Sequence, residues 1–190
     1  MNKVIETLLS HRSFRSYLEK DVDEEQLKKI IQAVQAAPSW INGQQVSVIA
    51  VKDVNRKQKL AELCGGQKHI EQAPVFLVFC ADFHRAYISS QMEEQPLHVT
   101  DNIDTLLVGA TDVGIALGAA VTASESLGLG TVPIGGIRRN LNEVIEMLEL
   151  PPYVLPISGL CIGHPAETPQ LKPRLPKEAV YHSEVYNKED

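Results

Sequence analysis

Cysteine is scarce. The 190 residues hold three, Cys64, Cys80 and Cys161, an odd number with no CxxC spacing. That argues against a disulfide framework or a zinc site and for reduced thiols in a cytoplasmic protein. The familiar catalytic signatures are missing too. No GxxxxGK(S/T) loop is present to cradle nucleotide phosphates. The six histidines (11, 69, 84, 98, 164 and 182) form no HExxH and no close metal spacing. No GxSxG nucleophile elbow occurs. Gly128 and Gly130 precede an expected strand, whereas the dinucleotide fingerprint follows a strand and opens a helix. Basic charge is also in deficit: 18 Lys and Arg against 24 Asp and Glu leave a net charge of -6. That excludes a general binder of nucleic acid or of anionic membranes. Residues 1–7 have no signal-peptide core, and no apolar run reads as long enough to span a bilayer. Repeats, low-complexity segments and internal linkers are absent. So few protein-side catalysts are expected where a cofactor supplies the chemistry and the protein supplies binding and electrostatics.

The length predicts one domain, and an apolar fraction of 44% can fill a core. Val4, Ile5, Leu8 and Leu9 share one helical face, so the chain opens with a short amphipathic helix. Asp23 and Gln26 have capping-box spacing ahead of an apolar stripe of Leu27, Ile30, Ile31, Val34 and Ala37. Pro38 stops that helix, and residues 38–45 form a loop holding the single tryptophan, Trp40. A strand follows over Val46–Val51. Asp53 caps a third helix that ends at Gly65 and Gly66. Gln67, Lys68 and His69 then read either as a surface turn or as a ligand-facing amide and cation. Residues 74–81 are the clearest strand. Residues 83–100 lack a clean period, which predicts a mobile excursion over a site. Asp101 caps a long helix over residues 102–127, about 39 Å at 1.5 Å per residue. Rich in Gly and Ala and apolar nearly all round, it is expected to be buried on most sides, in the core or against a second subunit. Asn140 caps residues 141–148, and residues 155–162 form the last strand. Helices and strands do not alternate strictly, which predicts an α+β fold with a mixed central sheet flanked by helices.

Residues 126–136 join the long helix to a short apolar strand. Gly128 and Gly130 suit a left-handed helix stop. Pro133 lacks an N–H, which puts Val132, Pro133 and Ile134 on an edge strand or on one that leaves the sheet. Gly135 and Gly136 then leave backbone N–H groups bare, so a flat ligand can lie against the main chain. Two cation clusters stand out against the acidic balance: His11, Arg12 and Arg15 with Ser13, and Lys172 with Arg174. Each reads either as a solvated surface or as a phosphate site.

The motifs occur in a fixed order. His11-Arg-Ser-Phe-Arg15 comes first, then Pro38-Ser39 with Asn42-Gly-Gln44, then Gly65-Gly-Gln-Lys68. Residues 128–136 follow, then Gly163-His-Pro with Lys172-Pro-Arg174. Over residues 4–176 this order resembles the FMN-dependent nitroreductase superfamily, within it the NADPH–flavin oxidoreductase and oxygen-insensitive major nitroreductase group. The resemblance implies an α+β homodimer with non-covalent FMN in two clefts at the subunit interface, formed by an FMN-binding domain over residues 1–176. It implies that His11, Arg12, Ser13, Arg15, Lys172 and Arg174 hold the flavin phosphate and ribityl chain. Ser39, Gln44 and Gln67 match cofactor-contacting positions. Pro133, Ile134, Gly135 and Gly136 match the loop beside the isoalloxazine ring, and the small-residue helix matches the dimer helix. The implied reaction has two steps: NADPH gives hydride to flavin N5, then a nitroaromatic, quinone or other small acceptor takes two electrons. No catalytic side chain or metal is required, and Arg15 or Lys68 is placed to stabilise charge on reduced flavin.

Members of that group continue for some tens of residues past the Lys172-Pro-Arg174 segment, with basic residues that meet the NADPH phosphate. This sequence ends at Asp190 after a polar tail over residues 177–190. The expectation is that FMN binding persists, with only a modest preference for NADPH over NADH; Arg138 and Arg139 read either as cations at the cleft mouth or as a solvated turn. Two other functions are open: a flavin reductase that releases reduced FMN to a partner, and a non-enzymatic binder of a phosphorylated ligand.

Overall fold

A computed structural model describes residues 1–98 and 102–188. Its elements are α1 (Lys3–Leu9), α2 (Glu24–Gln35), β1 (Val46–Val51), α3 (Val54–Leu63), α4 (Lys68–Gln72), β2 (Val75–Asp82), α5 (His84–Met92), α6 (Ile103–Ser126), β3 (Gly130–Ile134), α7 (Leu141–Met147) and β4 (Val154–Gly163). The strands form one sheet in the order β1-β2-β4-β3. All its ladders are antiparallel, which corrects the expected mixed sheet. The parallel element is a single bridge between Ser13 and Thr131.

Central strand β2 is buried along its whole length. Its residues alternate between two cores, as the period of two requires. Phe76, Val78 and Cys80 face one side with Leu60, Ile70 and Val144 from α3, α4 and α7. Val75, Leu77, Phe79 and Ala81 face the other, with Ile30 and Val34 from α2 and Val113, Ala116 and Ala120 from α6. The result is three layers, helix on sheet on helix, an α+β architecture. Pro133 sits on edge strand β3, where its missing N–H costs no ladder bond.

Several local expectations change. Residues 68–72 form a short helix after Gln67, and residues 84–92 form α5 where an irregular excursion was expected. Asp23 is the N-cap residue of α2, but no side-chain cap bond forms among the described residues. Asn140 precedes α7, yet its Nδ2 donates to the Leu63 carbonyl at 2.6 Å. Asp101 lies outside the described residues; Asn102 caps α6 by accepting from the Asp104 N–H. Gly128 takes the left-handed conformation at the helix stop (φ 79°), whereas Gly130 is already in β3.

Helix α6 departs most from expectation. By length and composition alone its 24 residues can cross a bilayer, which the search for apolar runs did not anticipate because Gly, Ala and Thr dilute the signal. One face, with Gly109, Asp112, Val113, Ala116, Ala120 and Ser124, is buried against α2 and the sheet. The rest is open rather than buried on most sides. Ile103, Leu106, Leu107 and Ile115 are exposed. At Gly114 and Gly118 a Cβ would meet nothing within 4 Å among the described residues. Helix α1 lies against α6 with Val4, Ile5, Leu8 and Leu9 all exposed.

Candidate active site

The segment after α1 is held flat against the sheet. Phe14 N–H donates to the Thr131 carbonyl at 2.9 Å, and Tyr17 bridges Pro165. Two glycines permit this approach. A Cβ on Gly130 would stand 2.6 Å from the Phe14 ring, and one on Gly163 would stand 2.7 Å from the Tyr17 ring. The chain is therefore pinned where His11, Arg12, Ser13 and Arg15 leave α1. His11 Nδ1 lies 2.7 Å from Glu125 Oε1, which also accepts from Thr131 Oγ1 at 2.9 Å. Arg12 donates Nη1 to the Ser10 carbonyl at 2.8 Å. Its Nε is buried without a hydrogen-bond partner among the described residues. His11, Pro133 and Arg174 line one cavity of about 510 Å³ with Gly114, Gly118 and Glu125 of α6.

A second group closes in from α3 and α4. Gly65 and Gly66, at φ 90° and 77°, turn the chain at the end of α3. Gln67 Nε2 donates to the Cys64 carbonyl at 2.9 Å. A Cβ on Gly136 would lie 2.5 Å from both of those atoms, so only glycine fits beside Gln67. Residues Gly135–Arg138 form a short 3-10 turn rather than a bare double-glycine loop. Gly135 is nevertheless exposed, and a Cβ there would meet only Arg138 at 3.5 Å. His69 Nε2 is buried without a partner among the described residues. Burial, and then the Arg15 guanidinium, push the His69 imidazole below its ordinary range, so it stays neutral.

Ser39 and Gln44 are not brought to these groups. They line a different cavity of about 480 Å³ with Arg85, Ser47, Asp112 and Ala116. Asp112 and Gly114 are two residues apart on α6, so they point to nearly opposite sides. The Ser39–Gln44 loop is tightly held. The Trp40 N–H is shared by both oxygens of buried Asp112, at 3.1 and 3.2 Å. Ser39 Oγ accepts from the Gln44 N–H at 3.0 Å, which leaves the hydroxyl proton free to donate. Arg85 donates Nη2 to the Gln44 carbonyl at 2.6 Å and Nη1 to Asp82 Oδ2 at 2.9 Å. Between these anchors Ile41, Asn42 and Gln44 have φ of 48°, 55° and 51°, a conformation that side chains resist.

Lys172 and Arg174 are exposed on the segment after β4. Arg138 donates to the Ile157 carbonyl, and Arg139 packs against Gly65, so both cations are engaged by neighbouring chain. Sequence reasoning missed Glu125, Asp112 and Arg85. Two of them carried a signal. Glu125 is an acid in the last turn of a helix, against the helix dipole, and Asp112 is a lone charge within an apolar helix.

The buried nitrogens Arg12 Nε and His69 Nε2, without partners among the described residues, and the Cβ-excluding slot at Gly136 suit a flat ligand that carries an anionic group. The nitroreductase family profile matches residues 8–164. An FMN reductase (NAD(P)H) of Bacillus subtilis is 59% identical over 191 residues, covering 100% of this chain and 77% of that protein. An oxygen-insensitive NADPH nitroreductase of Salmonella typhimurium is 44% identical over 186 residues, covering 98% and 75%. The solved structure of NfrA2 from B. megaterium superposes with a TM-score of 0.98 at 57% identity, covering 100% of this chain and 77% of that one. The chain belongs to the nitroreductase family.

Proposed function

We infer that this chain is an FMN-dependent NAD(P)H oxidoreductase that reduces nitroaromatics, quinones or related small acceptors. The observation that carries the reading is the buried Arg12 Nε, without a partner among the described residues, on the segment that also bears His11, Ser13 and Arg15 in a member of the family. When bound, FMN supplies the two-electron chemistry: hydride in from NAD(P)H, and two electrons out to the acceptor.

The protein's part is binding and electrostatics. Arg12, Ser13, Arg15 and His11 hold the phosphate and ribityl chain with charge-assisted donors. Arg174, which lines the cavity with His11, and Lys172 would add cations at the same end. Gly136, where a Cβ would stand 2.5 Å from Gln67 Nε2, would let the ring lie against the main chain together with Pro133, Ile134, Gly135 and Gln67. Neutral His69 supplies its buried nitrogen without adding charge. These residues lie in a domain over residues 1–176, in a cytoplasmic protein whose three cysteines are free.

The functional unit is a homodimer. Exposed apolar residues on α1 and α6 and the open stripe at Gly114 and Gly118 leave a surface of the kind that partners cover. In a dimer the loop holding Ser39 and Gln44 from one subunit completes the cleft of the other. That reading reconciles their position across α6 with a cofactor role.

The test is steady-state turnover of NADPH with a nitroaromatic acceptor after loading with FMN. Parallel lines in a double-reciprocal plot and loss of turnover in Arg12→Ala support the reading. Colourless protein that binds no added FMN refutes it. A second reading has support from the name of the Bacillus relative: release of reduced FMN to another enzyme. Free FMN acting as a saturable second substrate with a sequential pattern identifies that case.

A further inference from the structure

We infer that Glu125 is a positioning residue of the phosphate cradle: its carboxylate grips His11 through Nδ1 and turns Nε2 of the ring towards the ligand's phosphate. This rests on the flavin-phosphate reading above.

A carboxylate in an anion site needs an explanation. Glu125 stands in the last turn of α6, where exposed helix carbonyls already carry negative charge. Its side chain is only 10% exposed. Neither circumstance favours an acid. Two donors offset them by meeting on one oxygen: His11 Nδ1 at 2.7 Å and Thr131 Oγ1 at 2.9 Å. A carboxylate oxygen only accepts, so Nδ1 of His11 carries a proton. The nitrogen left for a ligand is Nε2. In a neutral ring with Nδ1 protonated, Nε2 is an acceptor and opposes a phosphate oxygen. Only the imidazolium donates from both nitrogens. With a phosphate bound at Nε2, the Glu125 carboxylate 2.7 Å from Nδ1 would be the counter-charge to such a ring.

The same oxygen fixes the neighbouring strand. Thr131 is fully buried; its hydroxyl donates to Glu125 while its carbonyl accepts the Phe14 N–H and its backbone bridges Ser13. One carboxylate therefore sets the ring of His11 and the segment that carries Ser13. Arg174 lines the same cavity as His11 and Glu125.

The test compares two ligands on the full chain. FMN and riboflavin share the ring and ribityl chain, and only FMN has the phosphate. Glu125→Gln keeps an acceptor for both donors and removes the charge. The expected result is an FMN affinity lowered about tenfold, with riboflavin affinity within about twofold of wild type. In a His11→Ala background the same substitution should leave the FMN-to-riboflavin ratio unchanged, because the effect runs through His11. A merely structural Glu125 would lower both affinities together and with them the melting temperature. That outcome, an unchanged ratio in Glu125→Gln, or a loss that persists without His11 overturns the inference. Should the Gln variant not fold, Glu125→Asp draws the carboxylate back from His11 and must lower the ratio in the same direction; an unchanged ratio again overturns it. Wild type that binds FMN no more tightly than riboflavin overturns the phosphate reading itself, and this inference with it.

Discussion

Asp112→Ala isolates how the Ser39–Gln44 loop is held. Asp112 is 3% exposed, and among the described residues its two carboxylate oxygens share the Trp40 N–H. One N–H shared between two oxygens counts as one charge-assisted bond, worth about 1.5–3 kcal/mol. Burying a carboxylate with so little compensation costs energy of its own, and alanine relieves it. The net loss on unfolding in urea should be about 1–2 kcal/mol. Asp112→Asn keeps an acceptor for Trp40 and should lose less. The loop itself should respond more than the global stability. Ile41, Asn42 and Gln44 hold left-handed backbone angles between the Asp112 anchor and the Arg85 anchor. With one anchor gone, they relax. Trp40 is the single tryptophan, so its fluorescence anisotropy reports this loop alone. At 55% exposure its ring has room to gain mobility. The expected result is lower Trp40 anisotropy in Asp112→Ala, with recovery in Asp112→Asn. An alanine variant as stable as wild type, with unchanged anisotropy, would refute the anchor argument and leave the carboxylate as a net burden.

Gly118→Leu should abolish the dimer while the protomer stays folded, since a Cβ there meets nothing within 4 Å among the described residues; light scattering and circular dichroism read the two effects. Retention of a stable dimer would place the interface elsewhere. Gly130→Ala sets a Cβ 2.6 Å from the Phe14 ring and should cost about 1–3 kcal/mol of stability, with weaker FMN binding as Ser13 shifts. Arg12→Ala should weaken FMN binding by about 1.5–3 kcal/mol, read by quenching of flavin fluorescence. For His69 the folded state lowers the imidazole below its unfolded value. The unfolded chain therefore takes up the proton first, so the contribution is complete above about pH 6.5 and is lost as pH falls below it. His69→Gln should flatten that acid limb in urea titrations; an unaltered limb assigns it to other groups.

The legible parts of this chain were those in which local pattern and burial agree. The β2 run, the α2 stripe and the Gly128 stop needed no tertiary information. Residues 84–92 form a helix whose apolar residues share no clear face, so periodicity had nothing to detect. The sheet's direction was hidden because strand pairing is set by connections, not by composition. Of the site, the cation segment at His11–Arg15 and the glycines at 135 and 136 were readable as types. Their partners were not. Glu125 meets His11 across 114 positions of sequence, and Asp112 meets Trp40 across 72. The reason for Gly136 is Gln67 and the Cys64 carbonyl, a contact that no local motif records. Ser39 and Gln44 fit the family's motif order yet lie across α6 from the rest, because a motif's order does not say where in space its members lie.

The central claim is that this chain binds FMN and passes electron pairs through it from NAD(P)H. An anaerobic titration of the FMN-loaded protein, followed by visible absorbance, tests it most directly. The account predicts that about one equivalent of NADPH bleaches the flavin band and about one equivalent of a quinone restores it. Protein that stays colourless in excess FMN, or a bound flavin band that NADPH and NADH both leave unchanged, would contradict it.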